Sequence, residues 1–173
     1  MKKKFFLTLA FSVIVFSSCR KPELFYNDGL LYFNKGNYNI AIQDFTEAIS
    51  LDPEIIDAYL YRAISYTYKK DYDSAMNDFN RALQLNPDYA EVYFHRASIY
   101  RIQEDYQKCI EDYSKAIQLK PDYEDAYLNR GIMFENAGEY AKAVADWESV
   151  LKIKPDNSGV KRMIEKALQS LND

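Results

Sequence analysis

The sequence is poor in the residues that most catalytic and metal sites require. It has one histidine (His95), two cysteines and five glycines. A single histidine excludes zinc sites built from several histidines, and neither a glycine-rich phosphate loop nor a strained nucleophile turn is present. The acidic residues recur at regular intervals, which is typical of a solvated face and not of a catalytic pair. We therefore expect no enzymatic activity, no metal ion and no cofactor.

The chain is also short of positive charge. Its 22 lysines and arginines stand against 26 acidic residues. Removing residues 1–18, the predicted signal peptide, takes away Lys2, Lys3 and Lys4, which leaves 19 basic residues and a net charge near −7. Because nucleic-acid binding requires a basic surface, we expect no nucleic-acid partner.

The apolar run near the start of the chain is too short to cross a membrane. Residues 5–16 form an apolar stretch of twelve residues, whereas a transmembrane helix needs about 20. Three lysines precede the run, and the small residues Ser17 and Ser18 follow it. This order is typical of a secretory signal peptide. We predict that residues 1–18 are a signal peptide that is removed from the mature protein.

Four of the five prolines fall at an unvarying interval of 34 residues: Pro53, Pro87, Pro121 and Pro155. The residues between them recur as well, with an aromatic residue, a small residue and a second aromatic residue at fixed places, as in Tyr59, Ala63 and Tyr66. Four matches at one period predict a repeat architecture. The predicted units are residues 22–55, 56–89, 90–123 and 124–157.

Each unit has the pattern of two amphipathic helices. Apolar residues recur with a period near 3.6 in both halves of the unit, and strand alternation is absent. The predicted breaks between the two helices are Gly36, Lys70, Glu104 and Gly138. A small residue occupies the eighth place of every unit, which lets the paired helices approach closely: Gly29, Ala63, Ala97 and Gly131.

A single helical hairpin cannot bury its aromatic face, so the units must stack into a solenoid with a continuous core. Residues 158–173 follow the last unit, and an apolar stripe predicts a capping helix over 158–171 with Asn157 or Ser158 at its N-cap. The predicted fold is all-α, a right-handed solenoid of four helix-turn-helix repeats and a C-terminal capping helix. We expect nine helices after residue 21 and no strand.

Through its recurring prolines, aromatic residues and small residues, the chain resembles the tetratricopeptide repeat family over residues 22–157. The small eighth-place residue and the terminal proline match the family pattern, while tyrosine or phenylalanine replaces its frequent fourth-place tryptophan. The resemblance implies a concave groove lined by the first helix of each unit. The implied groove residues are Tyr26, Leu30, Leu60, Tyr61, Ile64, Phe94, His95, Ser98, Leu128, Asn129 and Ile132.

The implied groove has an apolar floor and one acidic rim, formed by the second-place residues Glu23, Asp57, Glu91 and Asp125. The lysine and asparagine clamp with which some family members bind acidic chaperone tails is absent. An apolar, neutral-to-basic protein segment is therefore the expected ligand. The alternative is that the floor residues pack between neighbouring first helices.

Charged residues also recur, with arginine at the seventh place (Arg62, Arg96, Arg130) and aspartate at the twenty-third (Asp44, Asp78, Asp112, Asp146). The pairing can run within a unit or from each aspartate to the arginine of the next unit. Because the first unit has Asp28 in place of arginine, we favour pairing between units. An alternative is that the arginines bind an anionic ligand.

The segment Ser17-Ser18-Cys19 resembles a bacterial lipoprotein cleavage site. The resemblance implies acylation of Cys19, by palmitate among other chains, and a short tether over residues 19–21. Arg20, where aspartate would favour the inner membrane, points to the outer membrane of a Gram-negative envelope. The alternative is ordinary signal-peptidase cleavage and a soluble secreted protein. With Cys19 acylated, the one free thiol is Cys109, which we expect to be buried.

Together these features predict a lipid-anchored adaptor that holds a protein or peptide partner in its groove. The competing hypothesis is a structural subunit of an envelope assembly, secretion or pilus complex. Such a subunit would use its convex face or a homodimer interface.

Overall fold

The computed structural model describes residues 21–172. Within this range the chain forms nine α-helices and no strand, as predicted. The helices are α1 (Pro22–Asn34), α2 (Tyr38–Leu51), α3 (Ile56–Tyr68), α4 (Tyr72–Leu85), α5 (Ala90–Ile102), α6 (Tyr106–Leu119), α7 (Glu124–Asn136), α8 (Tyr140–Ile153) and α9 (Ser158–Asn172). The predicted signal peptide and Cys19 lie outside the described residues.

The two helices of each unit are joined by the same tight turn. The turn residue has a positive φ of 74° at Gly36, 62° at Lys70, 60° at Glu104 and 75° at Gly138. In the first turn, the N–H of Gly36 donates to Phe33 O and the N–H of Asn37 donates to Tyr32 O, both at 2.9 Å. This is the Schellman arrangement, which satisfies the last carbonyls of a helix and reverses the chain.

The small residue at the eighth place lies beneath a large ring of the second helix. A Cβ atom added to Gly131 would lie 2.4 Å from Trp147 Nε1, and one added to Gly29 would lie 2.6 Å from Phe45 Cε1. Ala63 and Ala97 are fully buried at the equivalent places. The sequence-based prediction of a close helix contact is therefore confirmed.

Successive units pack through the third and tenth places of each first helix. Val92 and Ile99 of α5 are fully buried in one cluster with the residues of α3 and α4. Ala126 and Met133 of α7 pack in the same way onto α5 and α6. Each cluster thus joins one hairpin to the helix that follows it, and the four clusters form the core of a solenoid.

The arginine–aspartate pairs form within units, so the favoured pairing between units was wrong. Arg62 Nε and Nη2 donate to the two carboxylate oxygens of Asp78, each at 2.7 Å. Arg62 and Asp78 lie eight residues before and after the turn residue Lys70. Residues equidistant from the turn of an antiparallel hairpin lie opposite each other, which is the physical reason for the pairing.

The same pairs occur at Arg96–Asp112 and Arg130–Asp146. The remaining guanidinium nitrogen of each arginine reaches back to the preceding unit. Arg62 Nη1 donates to Thr46 Oγ1 at 2.9 Å, and Arg96 Nη1 donates to Asn80 Oδ1 at 2.8 Å. The arginines therefore hold both their own hairpin and the contact to the previous one, and they are not free for an anionic ligand.

The last helix closes the stack. Asn157 is its N-cap, since its side-chain oxygen accepts the N–H of Val160 at 3.2 Å. Val160 and Ala167 are buried against α8. None of the nine helices is both long and apolar enough to span a bilayer.

Candidate functional site

The first helices of the units, α1, α3, α5 and α7, line the inner side of the stack. Besides packing on its own hairpin partner, α3 contacts both α1 and α5 across the unit boundaries. The residues that the sequence assigned to a groove lie on these four helices.

The predicted floor residues differ in how much surface they offer. Leu60 is 4% exposed and Ile64 is 9% exposed, and both belong to the core cluster of the second unit. For these two, the structure matches the alternative of packing between first helices. The other predicted residues are half-buried: Tyr26, Leu30, Tyr61, Phe94, His95, Ser98, Leu128, Asn129 and Ile132.

Aromatic rings fill the groove near α1 and α3. Tyr61 packs edge-on against Phe33 with ring centroids 5.4 Å apart, and it stacks on Phe45 at 6.1 Å. Tyr26 joins this group through Phe45 at 6.0 Å. Burial, reinforced by the charge of Asp57, raises the pKa of Tyr26 to about 12. This part of the surface is largely occupied by contacts within the protein.

Phe94 is held in a similar way in the third unit. Its ring centroid lies 4.9 Å from that of Tyr123 and 5.7 Å from that of Tyr113. Replacing Phe94 would therefore disturb the core as well as the groove. Among the predicted floor residues, it is an unsuitable probe of binding alone.

The acidic rim is partly used within the fold. The Tyr89 hydroxyl donates to Asp57 Oδ1, and Lys120 Nζ lies 3.2 Å from Glu91 Oε1. Acidic residues in the first turn also complement the helix dipole. The rim keeps a negative charge, but Asp57 and Glu91 also have structural partners.

A cavity of about 330 Å³ opens between α3 and α5, and we call it the central cavity. It is lined by Ile64, Thr67, Tyr68, His95, Ser98, Arg101 and Ile102. Tyr68 and Ile102 are 61% and 44% exposed, although both carry large apolar groups. Burial lowers the pKa of His95 to about 4, so the imidazole is neutral at pH 7.

Four of the lining residues were not among the predicted groove residues: Thr67, Tyr68, Arg101 and Ile102. They occupy the twelfth and thirteenth places of their units, in the last turn of each first helix. The family pattern includes the thirteenth place, so Tyr68 and Ile102 were within reach of the sequence. Arg101 carried no such signal, because a basic residue in the last turn of a helix is ordinarily explained by the helix dipole.

The model of the tetratricopeptide repeat matches the chain four times, at residues 22–55, 56–89, 90–123 and 124–157. The chain belongs to the tetratricopeptide repeat family. Comparison with curated protein sequences finds no match.

Solved structures of other proteins share the fold. A crystal structure of MamA superposes with a TM-score of 0.78 at 23% identity, covering 87% of this chain and 82% of MamA. PilF of Pseudomonas aeruginosa has a TM-score of 0.78 at 20% identity, covering 87% of this chain and 69% of PilF. At these identities the likeness concerns the fold alone.

Tetratricopeptide repeats are typically non-enzymatic modules that bind protein partners, so this chain is a protein-interaction scaffold. Residues 21–172 contain no group of three or more histidine, cysteine or acidic side chains placed to share a metal ion. The central cavity is the part of the inner face where exposed apolar groups meet polar ones. The central cavity is therefore the candidate binding site.

Proposed function

We propose that this protein is a lipid-anchored adaptor of the bacterial cell envelope that binds a segment of a partner protein in its inner groove. The observation that carries the proposal is the central cavity. Tyr68 and Ile102 both line it with much of their surface exposed, and the Tyr68 ring is held by stacking on Tyr38. Aromatic and aliphatic side chains in this setting are typical anchors of protein interfaces.

The neighbouring surface supports a ligand that is longer than one residue. On the α7 side, Leu128 and Ile132 are half-buried and continue the apolar floor. On the α1 side, Leu30 and Tyr61 are also half-buried, and Tyr61 offers the edge that its contacts with Phe33 and Phe45 leave exposed. A segment of several residues would therefore touch apolar groups from all four first helices.

The envelope location rests on the sequence of the first residues. Lys2–Lys4, the apolar run, Ser17-Ser18 and Cys19 support a lipoprotein signal, with Cys19 as the anchor. Only Arg20 and Lys21 separate Cys19 from α1, a reach of about 10 Å. The domain would stand close to the lipid surface, and Arg20 and Lys21 would each add about 1 kcal/mol of attraction to anionic headgroups.

Site-specific photo-crosslinking in intact cells tests the groove. A photoreactive residue at position 102, in the central cavity, should capture a defined partner. The same residue at position 81, on the exposed side of α4, should not capture it. Capture from position 81 alone would mean that the partner binds outside the groove.

Affinity for the captured partner gives the second test. Ile102→Ala should weaken binding about tenfold, a change of about 1.4 kcal/mol, because it removes an exposed interface anchor with little effect on folding. Ile153→Ala is the matched control, since Ile153 is similarly exposed but lies at the end of α8, outside the groove. Equal effects of the two substitutions would contradict the proposal.

One observation favours the competing function of a structural subunit. Leu24 and Leu31 occupy the third and tenth places of the first unit and are 52% and 49% exposed. The same places are buried in later units, as at Val92 and Ile99. An exposed apolar end face of this kind suits a fixed neighbour in a larger complex. If the protein is such a subunit, the double variant Leu24→Ser/Leu31→Ser would release it from that complex.

A further inference from the structure

The central cavity has apolar walls and one polar side. Ile64, Tyr68 and Ile102 supply the apolar groups, and Thr67, Ser98 and Arg101 supply the polar ones. The hydroxyls of Thr67 and Ser98 donate to backbone carbonyls of their own helices, so Arg101 is the donor left for a ligand. His95 adds a neutral imidazole, because burial lowers its pKa to about 4. The cavity therefore contains one positive charge in an otherwise uncharged surrounding.

Arg101 differs from the other cations of the inner helices. The four first helices carry four arginines and no lysine. Arg62, Arg96 and Arg130 are each held by an aspartate of their own unit. Arg101 makes no ion pair with any carboxylate in residues 21–172, and its side chain is exposed. A guanidinium has five N–H donors, so Arg101 can donate to a ligand even with Tyr113 beside it.

A second polar group lies behind the same wall. The Tyr113 side chain is fully buried, and its hydroxyl has no hydrogen-bond partner within the described residues. Ser98, Arg101 and Cys109 are the polar groups near it. Tyr113 does not line the cavity, so it contributes a polar group behind the wall and not a contact for the ligand.

The acidic rim does not neutralise this site. Glu91 precedes Arg101 by ten residues on α5, which places it about 15 Å away along the helix axis. Glu91 also pairs with Lys120. The inner face is therefore negative at one edge and positive at the central cavity.

We propose that the central cavity binds the carboxylate of one aspartate or glutamate side chain, carried within an otherwise apolar segment of the partner protein. This inference rests on the proposed groove function and names the chemistry of its ligand. A guanidinium donates two parallel hydrogen bonds to a carboxylate in a bidentate pair, and Arg101 is the group that lines the cavity and can do so. The walls formed by Tyr68 and Ile102 receive the apolar neighbours of that acidic residue.

The position of the cavity favours a side chain over a chain terminus. It lies between the second and third of the four units, and the apolar floor continues on both sides through Tyr61 and Leu128. A segment that follows the floor passes through the cavity and does not end there. The ligand expected from the sequence, apolar and neutral-to-basic, is thereby refined to a segment with one acidic residue.

Selection from a random peptide library tests the proposal while the partner is still unidentified. The peptides are displayed within a loop of a carrier, so that they have no free carboxyl terminus, and are selected on the purified full chain. We expect enriched peptides to share one acidic residue between apolar residues. A second selection, on the Arg101→Gln variant, should lose the acidic residue and keep the apolar ones.

The affinities of one selected peptide for the wild type and the variants then measure how much the acidic residue contributes to binding. Changing its acidic residue to the amide should weaken binding to the wild type about tenfold or more, as expected for a hydrogen-bonded charge pair. Arg101→Gln should weaken binding similarly and remove the difference between acid and amide. Arg81→Gln is the matched control, because it removes an equal charge from exposed α4 and should change little.

The other outcomes are distinct. Enriched peptides without an acidic residue would overturn this inference and leave groove binding intact. Enrichment only from a library with free carboxyl termini would assign the cavity to a chain end instead. Competition by inorganic phosphate as strong as that by the peptide would indicate a small-anion site. No enrichment above background would count against the groove function as well.

Discussion

At the scale of single residues, the seventh-place arginines show how one side chain serves two levels of structure. Arg96 donates two hydrogen bonds of 2.8 Å to Asp112 within its hairpin and a third to Asn80 in the preceding one. The fixed fork of a guanidinium suits this geometry, which a lysine cannot reproduce. Asp112 is almost fully buried, so the arginine offsets the cost of burying the carboxylate.

The first prediction concerns this pair. Arg96→Met should destabilise the protein by about 2–4 kcal/mol, because it leaves a buried carboxylate without its partner. The double variant Arg96→Met/Asp112→Leu should recover a large part of the loss. Urea unfolding of the two single variants and the double variant measures the coupling. Strictly additive losses would show that the pair acts as two independent groups.

His95 gives the second prediction, through pH. Its pKa is lowered by burial to about 4, below the ordinary value of 6.5. The unfolded chain therefore binds more protons between these values, and stability falls as the pH drops from about 6.5 towards 4. The free energy of unfolding falls between pH 7 and pH 5, and about 1–2 kcal/mol of that decrease should come from His95.

The comparison that isolates this contribution uses His95→Gln. Carboxylates titrate in both proteins, so the difference between wild type and variant belongs to position 95. The variant should lose less stability than the wild type between pH 7 and pH 5 in chemical unfolding. An equal loss in both proteins would mean that His95 is accessible to protons in the folded state.

At the scale of the element, the hairpin is governed by the contact between its eighth and twenty-fourth places. Gly131 lies under Trp147, whose indole N–H donates to Leu128 O at 3.3 Å. Ala63 lies under Phe79 and Ala97 under Tyr113 at the equivalent places. The residue in the eighth place and the ring in the twenty-fourth place together set how closely the two helices pack.

The third prediction tests this contact. Gly131→Ala should destabilise the protein by about 1–2 kcal/mol, because overpacking against a fully buried ring outweighs the gain of about 1 kcal/mol in helix propensity. In the Trp147→Phe background, the same substitution should cost much less. Thermal and urea unfolding of the four proteins provide the cycle. A penalty independent of residue 147 would place the clash elsewhere.

At the scale of the whole molecule, each hairpin packs against the first helix of the following unit. The first helices of the units come together as a consequence. The N-terminal ends of the first helices lie at one edge of the stack. The turns that join the two helices of each unit lie at the other edge. Lys21 precedes α1, which begins with Pro22 at the first of these edges. An anchor at Cys19 would therefore hold that edge towards the lipid surface and leave the groove accessible from the side.

The fourth prediction concerns this anchor. The wild-type protein should fractionate with membranes and carry acyl mass on an N-terminal Cys19. Cys19→Ala should be soluble or remain uncleaved. Stable attachment needs more than one acyl chain or one chain with basic residues, and Arg20 and Lys21 supply the latter. Mass spectrometry that finds another N-terminus and an unmodified Cys19 would refute the lipoprotein hypothesis.

The sequence alone determined the repeat, the nine helices, the turns and the close contact at the eighth place. These features are local, since a period of 34 residues, a proline and a small residue act within one hairpin. The sequence also contained the correct arginine pairing, because Arg62 and Asp78 are equidistant from Lys70. Reading the pairs across units missed this symmetry of an antiparallel hairpin.

Only the tertiary structure decided which residues of the inner face are accessible. Leu60 and Tyr68 lie on the same helix, yet Leu60 is 4% exposed and Tyr68 is 61% exposed. Leu60 packs into a core cluster that includes Val92 and Ile99 of the next unit, whereas Tyr68 is the last residue of α3. Such packing depends on how neighbouring units fit together, which the apolar pattern of one unit does not encode. For the same reason, the central cavity and the placement of Arg101 within it followed from the packing of α3 against α5.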